Sequence, residues 1–100
     1  MIKHIVFWNF AESAGGRSKE ENIDRVTKGL LALKDSIPEM IEIEVGRDFN
    51  QSGAAYEMAL YTVFTSREDL EKYQAHPRHE EMKQLIGKVT VDRAVVDYEV

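Results

Sequence analysis

A chain of 100 residues with 43% hydrophobic composition can build one ordinary domain around a single core. Its formal net charge of −5 and pI of about 5.2 argue against a nucleic-acid-binding surface, since a phosphate-binding face would form against the overall field. With no cysteine, disulfide scaffolds, thiolate zinc sites and cysteine nucleophiles are excluded, which fits a reducing compartment.

The first predicted element runs from Ile2 to Phe10. It is rich in β-branched and aromatic residues and apolar on both faces, as suits a strand covered on both sides. The start Met1 to Trp8 has neither the long apolar run nor the cleavage site of a signal peptide. No stretch approaches the ~20 apolar residues of a membrane span, so a cytoplasmic protein without membrane contact is expected. Glu12 to Arg17, with Gly15-Gly16, reads as a loop.

Ser18 and Glu21 then have the spacing of a capping box, and Ile23, Val26, Leu30, Leu33 and Ile37 recur at three- and four-residue steps. That pattern predicts an amphipathic helix ended by Pro38. Ile41, Ile43 and Val45 alternate with Glu42 and Glu44, a half-exposed strand closing at Gly46. Asp48 to Gly53 is turn-rich. A third strand is expected from Tyr56 to Phe64, with Met58, Leu60 and Thr62 on one face and Ala59, Tyr61 and Val63 on the other. Ser66 caps a second helix, with Asp69 in the reciprocal position and Leu70 and Tyr73 on its inner stripe. Pro77 breaks that helix, which resumes through Met82, Leu85 and Ile86. Val91 to Val100 is the last strand.

The order β-α-β-β-α-β with right-handed crossovers predicts an α+β, ferredoxin-like domain spanning residues 1–100. Its four-stranded antiparallel sheet carries both helices on one face. The bare face is expected to hold Ile5, Phe7, Tyr61, Val63 and Val95, and an apolar patch of that kind predicts a homodimer closed sheet to sheet.

The segment Tyr73-Gln74-Ala75-His76-Pro77-Arg78-His79 gathers a phenol and two of the three histidines. Imidazole titrates near neutrality and phenol donates a hydrogen bond, so the turn is a candidate for acid–base work as well as a simple helix-breaking turn. Tyr56, Met58 and Leu60, facing Val26 and Leu30, could line a small apolar cavity or form plain core. His4, His76 and His79 would hold a metal only by converging, with no acid nearby, so none is expected. Glycine-rich phosphate loops, Ser-His-Asp arrangements and basic aromatic patches are absent from the sequence.

Four segments together resemble the stress-responsive dimeric α/β-barrel (Dabb) domain. They are Ile2-Lys3-His4-Ile5-Val6, Ile37-Pro38 followed by Glu44-Val45-Gly46-Arg47, the Tyr73 to His79 turn, and Asp92-Arg93-Ala94-Val95-Val96-Asp97-Tyr98. The resemblance covers nearly the whole chain and agrees with the fold derived above. One catalytic branch, plant polyketide cyclases, implies Tyr73, His79 and the pocket histidine His4 as catalytic residues, and no cofactor. Val6, Trp8, Val26, Leu30, Met58 and Leu60 are then the candidate ligand-binding residues. A cyclase tyrosine falls on Leu30 and a smaller aliphatic on Trp8, so the cyclase substrate does not carry over. Three functions are weighed: a small-molecule-binding barrel with cofactor-free acid–base chemistry, a cofactor-independent monooxygenase by fold analogy, and a non-catalytic stress protein.

Overall fold

Strand β1 (Ile2–Phe10) alternates buried and half-exposed residues along its full length, so its even-numbered side chains face the core. The computed structural model describes every residue from Met1 to Val100. A hairpin of β2 (Ser13–Ala14) and β3 (Arg17–Ser18) follows, then α1 (Lys19–Ser36) and β4 (Met40–Arg47). β5 (Met58–Phe64), α2 (Arg67–Ala75), α3 (Pro77–Val89) and β6 (Thr90–Glu99) complete the chain. The main sheet is antiparallel throughout, with strand order β4-β5-β1-β6.

Helix α1 starts where the sequence places it. Ser18 Oγ accepts from the Glu21 amide and the Glu21 carboxylate accepts from the Ser18 amide, closing the capping box. Ile23, Val26, Leu30 and Leu33, with Ile37 just past the end, are all buried in one core with Trp8, Leu60, Phe64 and Tyr73. Each such aliphatic side chain contributes ~1.5–3 kcal/mol by leaving water. Ser66 caps α2 by accepting from the Asp69 amide at 3.1 Å. No reciprocal bond from Asp69 forms, its side chain being one methylene shorter than Glu21.

Several sequence-based expectations are corrected. The expected loop from Glu12 to Arg17 is a small hairpin, turned by Gly15 and Gly16 at φ 60° and 76°. Two consecutive positive φ angles define the tight turn that glycine adopts without steric cost. The break expected at Pro77 is present, by contrast: the chain divides at His76 and resumes as α3, so the helical layer has three helices. Ile41 is exposed at a register shift between Met40 and Glu42, while Ile43 and Val45 pack on the core. Tyr56 lies outside β5 and sets its ring 5.9 Å from Phe7 on the helix-free face, so it does not face Val26 and Leu30.

Val95 is the most consequential correction. It pairs with Val6 and so belongs to the helix-side face, while its neighbour Val96 pairs with Ile5 on the bare face. The pairing of β1 with β6 skips Val91 between Phe10↔Thr90 and Asn9↔Asp92, and such a bulge inverts the face of every later residue. The helix-free face therefore carries Ile5, Phe7, Tyr61, Val63, Val96 and Tyr98.

α1 and α3 approach closely at Gly29, where a Cβ atom would lie 2.4 Å from Met82 Sδ. Gly87 in α3 meets nothing within 4 Å. Gly87→Ala should raise stability in urea unfolding by ~0.5–1 kcal/mol through helix propensity alone. Gly29→Ala gains the same propensity but must displace the Met82 thioether, so its net gain should be absent or negative. Equal gains at both positions would show that Gly29 does not set the helix spacing.

Candidate functional site

A cavity of about 510 Å³ lies between the helix side of the sheet and the helices. Strands β1 and β5 supply His4, Val6, Trp8 and Leu60, and α1 supplies Leu30. Helix α2 contributes Tyr73 and Gln74, helix α3 contributes His79, Met82, Lys83, Ile86 and Gly87, and β6 begins the far wall with Thr90 and Arg93. Its volume falls within the usual range for small-molecule sites.

The break between α2 and α3 shapes this cavity. His76 ends α2 with its amide bonded to the Tyr73 carbonyl, and its Nδ1 accepts from the Arg78 amide to cap α3. Pro77 then occupies the first helical position, where a missing N–H costs nothing. Two residues on, His79 Nδ1 lies 3.1 Å from the Gln74 carbonyl. That carbonyl belongs to the last turn of α2, where no helical amide is available. A carbonyl only accepts, so Nδ1 carries the proton and Nε2 keeps its lone pair. Burial holds the half-buried His79 below the usual imidazole pKa, so the ring is neutral at pH 7.

Tyr73 is 1% exposed and is the centre of an aromatic group. Its ring centroid lies 4.4 Å from that of His79, 5.1 Å from that of Phe64 and 6.0 Å edge-on from that of His4. Burial pushes its phenol pKa well up, which keeps the proton on oxygen. The hydroxyl bonds to no protein group, yet Asn22 Oδ1 is the one enclosed side-chain oxygen or nitrogen without a partner. The Tyr73 oxygen is therefore open to the cavity it lines.

His4 comes to the same wall from β1. The register sets Asp97 of β6 directly opposite, and the carboxylate accepts from His4 Nδ1 at 2.5 Å. Its second ring nitrogen bonds to no protein group. The His4 ring is thus held by a carboxylate partner, much as oriented imidazoles are in acid–base sites.

Of the residues singled out from the sequence, His4, Tyr73, His79, Val6, Trp8, Leu30 and Leu60 meet at this cavity. Val26 and Met58 are not part of its lining: Val26 is buried in the core, and Met58, also buried, borders the second hollow described below. His76 is occupied in the turn, and no group of three acids or histidines is placed to hold a metal ion. Gln74, Lys83, Gly87, Thr90 and Arg93 were not foreseen, nor was the role of Asp97. Lys83 and Gly87 follow His79 at four-residue steps, a signal usable only once the start of α3 is known.

A second, larger hollow of about 790 Å³ sits on the helix-free face around Phe7, Tyr56, Ala59 and Ala94. Its charged groups are engaged: Arg47 donates to Glu20, and Asp48 accepts from the Asn50 and Gln51 amides. It has no acid–base cluster comparable to the three rings.

No helix is long and apolar enough to cross a membrane. No curated protein sequence matches the chain significantly. Among solved structures, a dimeric protein of unknown function and ferredoxin-like fold from Bacteroides fragilis is 29% identical, covering 99% of this chain and 95% of that one, with a TM-score of 0.86. The hydroxynitrile lyase of Passiflora edulis is 21% identical over 97% of this chain and 90% of its own, with a TM-score of 0.84. A candidate antibiotic biosynthesis monooxygenase from Nitrosomonas europaea is 14% identical over 100% and 98%, with a TM-score of 0.80, and shares the fold. Residues 2–100 match the stress responsive A/B barrel domain, and the chain belongs to that family.

Proposed function

We propose that this protein binds a small carbonyl compound in the helix-side cavity and moves protons on it without a cofactor. The observation that carries the reading is the contact of the tilted Tyr73 and His79 rings, centroids 4.4 Å apart on one cavity wall, with His4 beside them. His79 Nε2 takes a proton from the carbon next to the carbonyl, and the electron pair moves onto the carbonyl oxygen. The Tyr73 hydroxyl donates to that developing oxyanion, and its raised pKa keeps the donor protonated. The protonated His79 returns the proton, and His4, oriented by Asp97, presents its free ring nitrogen to the same wall as a hydrogen-bond acceptor. Such proton transfers serve aldol-type additions and their reversals alike. The Passiflora lyase shares the fold at 21% identity, so the chemistry proposed here rests on the ring cluster. A plain structural role accounts less well for an open cavity with an unpartnered phenol on its wall.

The test is deuterium exchange next to the carbonyl of a panel of dicarbonyl compounds, followed by NMR. Saturable exchange should fall by ~10²-fold or more in His79→Ala and in Tyr73→Phe, with circular dichroism unchanged. Undiminished exchange in His79→Ala would sink the proposal. Oxygen consumption with an electron-rich phenol, in place of exchange, would install the monooxygenase reading.

The pH dependence has a definite sign. A base with a depressed pKa is active when unprotonated, so activity should be full above the ordinary imidazole value of ~6.5 and be lost only as pH falls further. The Tyr73 acid is protonated up to and beyond the ordinary phenol value of ~10, so no alkaline limb should appear below that pH. A limb centred between pH 7 and 9 would assign the work to other groups.

We also infer that two copies pair through the helix-free faces, a reading supported by the dimeric Bacteroides protein. Val96 is 52% exposed and Tyr98 44% exposed there, beside Ile5 and Phe7. Ile5→Asp or Val96→Asp should give monomer or unfolded chain in sedimentation at micromolar concentration, because an unpaired charge in an apolar interface is strongly unfavourable. Val95→Asp, on the opposite face, should remain dimeric. Dimers of all three variants would place the interface elsewhere.

A further inference from the structure

We infer that the cavity selects an anionic form of its ligand, a carbonyl compound bearing a carboxylate that Lys83 and Arg93 receive. The inference deepens the proposed function, naming the substrate class of the same site. It rests first on a charge asymmetry. The chain has 18 acidic side chains against 13 Lys and Arg, yet the cavity lining contains Lys83, Arg93 and no Asp or Glu. In a protein of net charge −5, a lining with that composition holds a local field opposite to the whole.

The second observation is that both cations are free. Lys19, Lys28, Arg47, Arg67, Lys72 and Arg78 form ion pairs within 4.0 Å, and neither Lys83 nor Arg93 does. Nearby carboxylates are elsewhere engaged or outside the lining: Asp97 holds His4, Asp92 accepts from the Arg93 amide, and Glu80 stands next to His79 off the cavity wall.

Position supplies the third. Lys83 is one helical turn beyond His79 on α3, so both project on the same helix face. Arg93 comes from the opposite layer, on β6 directly opposite Trp8 of β1 and on the helix side of the sheet. The two cations therefore approach the cavity from helix and sheet, with the ring cluster of Tyr73, His79 and His4 beside them. A carboxylate bound between them sets the rest of an oxo-acid toward the rings. An arginine fork matches a carboxylate with two parallel donors, and lysine adds a point charge. Gln74, whose side-chain amide bonds to no protein group, lines the same cavity and can donate to a carbonyl.

The experiment compares benzoylpropionate with its neutral amide, benzoylpropionamide, titrated into the full chain by calorimetry and NMR. The acid should bind about tenfold more tightly, as two partly exposed charge contacts allow, and the preference should shrink with added NaCl. The Lys83→Gln, Arg93→Gln double variant should bind acid and amide alike. Both replaced residues are exposed, so the fold should survive, and circular dichroism checks that. Gly87→Leu should weaken both probes several-fold, since Gly87 lines the cavity and a Cβ there meets no protein atom within 4 Å. His79→Ala should keep the acid preference, so a failure of the proton chemistry is read separately from a failure of anion selection. Equal binding of acid and amide, no binding of either, or a preference surviving the double variant would overturn the inference. Inorganic phosphate displacing the acid at equal concentration would overturn the assignment to a carboxylate.

Discussion

The contact of Tyr73 and His79 at the candidate site depends on the steric incompatibility of Pro77 with a straight helix. A continuing helix would send the residue 77 amide to the Tyr73 carbonyl, but proline has no N–H and its ring collides with that carbonyl. The His76 amide bonds to the Tyr73 carbonyl instead, and the chain leaves in a new direction. In an unbroken helix, residues six apart lie ~9 Å apart along the axis and about 240° around it. Tyr73 and His79 could not then bring their rings to 4.4 Å. The break also leaves the Gln74 carbonyl unpaired, and His79 satisfies it. One proline thus creates both the proximity of the two rings and the hydrogen bond that selects the tautomer of one of them.

Desolvation acts on the two rings in a complementary way. It raises the pKa of a phenol and lowers that of an imidazole, in each case favouring the neutral form. A buried acid and a half-buried base therefore coexist without an ion pair, whose loss of hydration often exceeds its Coulombic attraction. His4 is held differently. Its Asp97 partner is 43% exposed at the sheet edge, so the carboxylate stays partly hydrated while the imidazole is buried. The His4–Asp97 pair orients a ring at the cost of desolvating only one of its two members.

The parts of this arrangement readable from the sequence are those governed by local chemistry. The Ser18–Glu21 box, the stripe from Ile23 to Ile37 and the two-residue period of β1 are short-range patterns, and the helix break follows from Pro77 alone. Long-range geometry was not readable. The Val91 bulge reverses the parity of β6, and adjacent Val95 and Val96 give no hint of which one faces the helices. Val26 and Met58 have the right periodicity for the cavity wall but are buried away from it, a distinction made by packing and not by pattern. Lys83 and Arg93 read as ordinary surface charge until α3 and β6 are set around the cavity. The short hairpin escaped because Ser13 to Ser18 has no apolar alternation, and only the positive φ of Gly15 and Gly16 marks it.

Strand β1 joins the two halves of the functional reading. Its even residues His4, Val6 and Trp8 line the cavity, while Ile5 and Phe7 between them face the helix-free side. It is also an interior strand, bonded on one edge to β5 and on the other to β6, which carries Asp97. Closure of a second copy over Ile5, Phe7 and Val96 would remove water from one side of the backbone that holds His4 and Asp97 in register. No side chain is shared between the two faces, so their chemistries are separable by mutation. Their rigidity is not separable, because a sheet packed on both faces resists the twisting that would pull the His4 ring from its carboxylate. Pairing would thus act on the site through the stiffness of one strand, without any contact reaching the ligand.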